Sequence, residues 1–210
     1  MTAPLRLTDR KRRAILDAAA NQFRSLGYDA ASVDRIAEVA GVSKRTVYNH
    51  FPSKEELFAE TLLRLFEDSA GELELDYSPA RGLREQLTEL MTAKMRTLAD
   101  RDFLALARVA IGEAIHAPER ALPLIARLGE REEGVTRWVR AAQLDGRLKP
   151  GDPLFASTVL QGQVKTFAFW PQVAMGAAPL PEDQQAQVVD AAVSMFLAYF
   201  AVQNEAVSSS

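Results

Sequence analysis

The sequence predicts an all-α fold of about nine helices, and three observations carry that prediction. Apolar residues recur at three- and four-residue spacing through nearly every segment, with no convincing alternating strand. Capping residues, glycines and prolines punctuate the chain at intervals suited to helices of one to five turns. One stretch, SVDRIAEVAGVSKRTVYNHFPSK from Ser32 to Lys54, reads as two short helices, a tight turn and a basic second helix.

Taken in order, Thr8 is expected to cap a first helix running to about Leu26. Ile15, Ala18, Ala19, Phe23 and Leu26 make its apolar stripe, and Gly27 is its stop. Its start, Arg10-Lys11-Arg12-Arg13, is basic where the helix dipole disfavours cations. That run reads either as a solvated charge run or as a face for a nearby phosphate backbone. Ser32 caps a second helix, with Val33, Ile36, Ala37 and Ala40 at helical spacing. Gly41 ends it, because glycine enters the left-handed conformation without a Cβ penalty. Ser43 caps a third helix only two residues later. So short a connection forces a steep crossing, the helix-turn-helix arrangement. Val47 and Phe51 are expected to pack inward. Lys44, Arg45, Thr46, Tyr48, Asn49 and His50 then form a polar, mostly donor-bearing surface of the kind that enters a major groove.

Ser53 caps the fourth helix, with Glu56 at the third helical position as in a capping box. It runs through Leu57, Leu62, Leu65 and Phe66 to about Leu73. The remaining helices are expected at about 81–99, 101–115, 123–144, 153–170 and 182–202, with breaks at Pro79, Pro118, Gly146 and Pro171. This divides the chain into a head at 1–54, a body at 55–204 and a disordered tail at 205–210.

The 210 residues are 48% apolar and 25% charged, an ordinary globular balance. No apolar run reaches the roughly 18 residues that span a bilayer. The opening MTAPLRLTDRKRR lacks the apolar core of a signal peptide, so a cytoplasmic protein is expected. Without cysteine there are no disulfides, thiolate metal sites or cysteine nucleophiles. Two distant histidines, His50 and His116, argue against a histidine-rich metal site. No glycine-rich phosphate loop appears, so no cofactor is indicated. The net charge of −3 conceals an asymmetry. Residues 1–55 carry ten Lys/Arg against six Asp/Glu, and the rest fifteen against twenty-two. A basic head on an acidic body suits phosphate contact confined to one face.

The wording of the motif goes further. GVSKRTVYNHFPSKEELF resembles the signature of the tetracycline-repressor (TetR) family of bacterial transcription regulators. In that family the recognition helix ends in Tyr-x-His-Phe and runs into a Ser-Lys-Glu-x-Leu start of helix four. The helix order resembles the family along the full length. LREQL, IGEAIHAPE, DGRLKPGDP and the Phe-Trp-Pro ending of helix eight look like the AefR-type C-terminal subgroup.

The resemblance implies DNA contact by named residues. Ser32 and Ser43 would offer hydroxyls and helix N-terminal amides to phosphates. Lys44, Arg45 and Thr46 would lie nearest base edges, with Arg45, where a small residue is common, the candidate for a bidentate guanine contact. Tyr48 and His50 would donate to phosphates, Lys54 would anchor the backbone, and Asn49 would touch a base or a phosphate. No nucleophile constellation surrounds His50, so no catalytic residue is assigned and no enzyme is expected.

The body offers apolar material for a small-molecule pocket: Phe66, Met91, Met95, Phe103, Ile111, Trp138 and Phe167, with Gln161 or His116 as polar orienting groups. Methionine and aromatic stripes are also what plain core looks like, and His116 equally suits a helix C-terminal cap. Helix nine, VVDAAVSMFLAYFAV, is apolar nearly all round and must be covered on more than one side. A second copy is the expected cover, a central position in a monomer the alternative. Ala191, Ala192, Met195 and Tyr199, with Gly162 on helix eight, would form the two-fold seam.

These expectations add up to a homodimeric transcription regulator. It would be a repressor on a palindromic operator, released when a small apolar or amphipathic effector enters the body. Two other readings stay open: a helical ligand-binding protein or enzyme that shares the head, and a ligand-independent DNA-binding protein.

Overall fold

A computed structural model describes residues 7–71, 75–119 and 134–202, with backbone alone over 66–71. The described elements are helical: α1 Leu7–Ala30, α2 Val33–Val39, α3 Lys44–His50, α4 Lys54–Gly71, α5 Leu83–Ala99, α6 Arg101–His116, α7 Gly134–Leu144, α8 Pro153–Ala168, α9 Trp170–Met175 and α10 Glu182–Phe200. Among the described residues no strand forms beyond an isolated bridge between Leu148 and Ala201. The expected all-α class is what the structure has. The start of the expected seventh helix, the approach to Leu73 and the 205–210 tail lie outside the described residues.

Contacts divide the chain into two compact units. The first holds the described parts of Met1–Asp68 and Arg101–Glu130; the second holds those of Ser69–Asp100 and Arg131–Ser210. This division differs from a boundary at 54/55, because most of α4 and all of α6 belong to the first unit. Ile15, Ala19, Phe23, Ile36, Val47, Phe51, Leu57, Leu62 and Leu106 share one buried cluster.

Two details of α1 differ from expectation. Thr8 lies inside the helix, which begins by Leu7, so it is not the cap. Gly27 does not end the helix but kinks it, with φ 78° and ψ 177°. That conformation is open only to glycine and redirects the chain. Leu26 is turned out to solvent, 53% exposed, and Tyr28 takes the core position expected for it. The Tyr28 ring stacks near Phe23 and meets Phe58 edge-on, with centroids 5.0 Å apart for the latter pair.

In the second unit, α10 packs along α5 and α8, and α7 along α8. The expected eighth helix is split. It closes at Ala168, and Pro171 stands in the first turn of α9 rather than ending a helix. Proline fits there because the missing N–H would have no intrahelical partner in a first turn.

Candidate nucleic-acid interface and body faces

The helix-turn-helix is held by its own backbone. Ala40 caps α2, Gly41 takes φ 65°, and Val42 N–H donates to Ala37 O while Gly41 N–H donates to Glu38 O. These paired bonds form a Schellman closure, which satisfies carbonyls that a helix end otherwise leaves open. Ser43 follows in extended conformation and caps α3, its Oγ accepting from Thr46 N–H at 3.1 Å. Ser32 holds the N-cap position of α2, yet its hydroxyl makes no capping bond. Val47 and Phe51 are buried, as the apolar spacing requires.

The structure separates the proposed DNA-contacting residues by whether their donors are already engaged. Arg45, Tyr48 and Asn49 are exposed, and their side chains have no hydrogen-bond or ion-pair partner among the described residues. Thr46 Oγ1 lies 2.8 Å from Ser43 Oγ, so both hydroxyls serve the turn first. His50 is half-buried beside the ring of Phe51. Lys44 Nζ donates to Asp34 at 2.9 Å. That hydrogen bond, reinforced by the carboxylate charge, holds its ammonium above the ordinary lysine pKa. Lys54 Nζ donates to Asp29 O at 3.0 Å and lies 4.6 Å from the centroid of the Tyr28 ring. The Tyr28 hydroxyl in turn donates to Glu55 at 2.9 Å.

Arg12 settles part of the question raised by the basic start of α1. Its guanidinium pairs with Glu60 on α4 and lies over the Phe51 ring, 4.6 Å from the centroid. It braces α1 against α4 while staying partly open to solvent. Asp29, Asp34 and Glu60 were not singled out by sequence. Helical periodicity reports which face a residue occupies, but not which residue waits across a turn.

The candidate pocket residues are divided between the units. Phe103 is buried and Ile111 half-buried on α6 of the first unit; the Phe66 side chain lies outside the described residues. His116 is exposed, with Nδ1 2.8 Å from Gly112 O. It satisfies a carbonyl at its own helix end and does not face an interior. In the second unit Met91, Met95, Trp138 and Gln161 are buried, whereas Phe167 is 54% exposed and lines no interior. The Trp138 indole donates to Gln86 Oε1, which places it in a core network. A half-open groove of about 350 Å³ lies elsewhere on this unit, lined by Leu75, Thr88, Glu89, Leu90, Thr92, Ala93 and Arg96.

The candidate seam is corrected at one position. Ala192 is 1% exposed and faces inward with Val189, Val193 and Phe196. Ala191, Met195, Ala198 and Tyr199 occupy the opposite, exposed face of α10 at helical spacing. On α8, Phe155 is exposed and Gly162 half-exposed. Among the described residues, no helix is long and apolar enough to cross a membrane.

Comparison with known proteins agrees with this architecture. Residues 15–61 match the model of bacterial regulatory proteins of the tetR family, and residues 85–202 match the AefR-like transcriptional repressor C-terminal domain. A TetR family transcriptional regulator from Pseudomonas syringae pv. tomato is 52% identical in sequence. Its fold superposes with a TM-score of 0.78, over 94% of this chain and 100% of that one. The flavonoid-responsive regulator FrrA is 26% identical, with a TM-score of 0.73 over 93% and 100% of the two chains. The transcriptional regulator RutR of Escherichia coli K12 is 28% identical over 178 residues, 80% of this chain and 79% of RutR. With a DNA-binding helix-turn-helix at its start and an AefR-like domain covering more than half its length, the chain belongs to the TetR family of transcriptional regulators.

Proposed function

We propose that this protein is a repressor that binds a palindromic operator as a homodimer and releases it when a small molecule occupies the body. The observation that carries the DNA reading is the outward face of α3. There Arg45, Tyr48 and Asn49 present donors that no described residue engages. A guanidinium in the first turn of a recognition helix suits the O6 and N7 acceptors of guanine. The AefR-like match, described as a transcriptional repressor domain, supports repression over activation.

The dimer reading rests on α10. Met195 and the Tyr199 ring are large, largely apolar groups more than half exposed on a regular helical face. Removing their remaining apolar area from water is favourable by roughly 25 cal/mol per Å². A second copy packed about a two-fold axis would bury the same face on both partners. Two heads related by that axis would reach half-sites about 34–36 Å apart, one helical turn of DNA.

The effector reading is supported by kinship with a flavonoid-responsive regulator. Flavonoids are apolar ring systems carrying a few hydroxyls, which fits the expected effector class. Control requires that the effector bind the DNA-incompetent arrangement more tightly than the competent one. The testing experiment is a selection from random duplexes with the full-length protein, followed by sedimentation of the complex. An enriched inverted repeat bound by two chains is expected. Enrichment of no inverted repeat would overturn the operator reading.

A further inference from the structure

Lys44 and Asp34 form a pair that bridges the two helices of the DNA-binding motif. Lys44 opens α3, and Asp34 is the second residue of α2. The ammonium lies 2.9 Å from each carboxylate oxygen, so the contact is shared across the whole carboxylate. Both side chains are more than half exposed. An exposed ion pair of this kind adds little to stability, because solvent screens it and holding two flexible side chains costs entropy. The turn beneath it is already closed by the main-chain bonds at Gly41 and Val42. Stability therefore does not account for the pair.

Its charge does have a consequence at a DNA surface. Affinity that ignores sequence comes from cations that neutralise phosphates and release counterions. Lys44 together with Asp34 carries no net charge. To neutralise a phosphate the ammonium must leave the carboxylate, or bring that negative charge toward the duplex. Next to it, Arg45 has no partner among the described residues and keeps its full fork of donors. We propose that Asp34 is a positioning and specificity-determining residue, which holds Lys44 and withholds one cation from sequence-independent phosphate binding. The α3 surface then favours the base contact of Arg45 over general attraction, raising the ratio of specific to nonspecific affinity. This rests on the reading of α3 as the DNA-facing helix.

The test uses the full chain and two duplexes, one of random sequence and one enriched by selection, titrated over a series of salt concentrations. Asp34→Asn preserves size and releases Lys44. Binding to the random duplex should then tighten roughly fivefold to tenfold per head near 0.1 M salt, with a slope steeper by about 0.9 for each head, and so about 1.8 for a dimer that engages both. Enriched-duplex affinity should rise less, so discrimination falls. Lys44→Met leaves Asp34 unpaired and should weaken binding to both duplexes. Lys44→Met combined with Asp34→Asn should return random-duplex binding to the wild-type level, because that double variant is again neutral. The proposal is overturned if Asp34→Asn leaves the random-duplex slope unchanged. It is also overturned if the double variant stays as weak as Lys44→Met alone. A loss confined to one base position would overturn it too, by making Asp34 a direct base reader. If the wild-type chain bound neither duplex, the assignment of α3 would fail first, and that outcome is separate from the others. Circular dichroism of each variant confirms that the head is folded.

Discussion

Trp138 donates its indole N–H to Gln86 Oε1 at 3.2 Å, and both side chains are buried in the second unit. The same Oε1 accepts from Ser78 N–H at 2.8 Å, and Gln86 Nε2 donates to Ser78 O at 2.9 Å and Arg81 O at 3.1 Å. One amide thus carries the polar needs of the turn before α5 and of the largest side chain in the core. Replacing it by leucine removes every partner at once. Since each buried group left unpaired costs about 1–3 kcal/mol, Gln86→Leu should destabilise the protein by more than about 2 kcal/mol. Urea unfolding checks this: the midpoint should fall while the slope is unchanged.

Arg12 predicts a separation between stability and DNA binding. Its guanidinium is committed to Glu60 and the Phe51 ring. Arg12→Leu should cost about 1 kcal/mol or somewhat more, combining a half-exposed ion pair with a cation–π contact. The dependence of random-duplex affinity on salt should not change. A slope shallower by about 0.9 for each head would instead reveal a phosphate contact.

Arg45→Ala should relax base preference at one position in each half-site and cost roughly 1–3 kcal/mol on the enriched duplex. Random duplex should lose far less. Competition binding measures both, and equal losses would remove the base contact.

Neighbouring alanines on α10 should behave oppositely. Ala191 is exposed and Ala192 is buried in the protomer. Ala191→Glu is expected to yield folded monomers in sedimentation, with weakened operator binding. Ala192→Glu places a charge in the core, where an unpaired ion costs several kcal/mol, and should unfold the second unit. A folded, dimeric Ala191→Glu protein would place the seam elsewhere.

Gly27→Ala should cost about 1–3 kcal/mol, since φ 78° with ψ 177° is strained for any residue bearing a Cβ. Beyond the local backbone and the adjacent residues no atom lies within 4 Å of the position a Cβ would take, so the cost is conformational. Thermal melting reads it directly.

The legible parts of this molecule were those specified by local chemistry. Gly41, Ser43 and Ser53 each act within one turn of the chain, as stop and caps, while Val47 and Phe51 lie on the apolar spacing of α3 and are buried. What stayed hidden required knowledge of a neighbour. Periodicity put Leu26 in the apolar stripe, but the backbone turns at Gly27 and gives the position to Tyr28. On α10 apolar residues surround the axis, so no pattern separates Ala191 from Ala192. The exposure of Phe167 and the engagement of Lys44 by Asp34 follow from three-dimensional neighbours that spacing does not encode.

The main-chain closure at Gly41 and Val42 leaves the outward residues of α3 almost free of architectural duty. Apart from the Ser43–Thr46 contact and the inward Val47 and Phe51, the scaffold asks nothing of positions 45, 48 and 49. Those three letters can therefore be rewritten while the frame that presents them keeps its angle. Under the proposed reading of α3, exchanges at Arg45 or Asn49 would change which bases this head prefers while its fold stays intact.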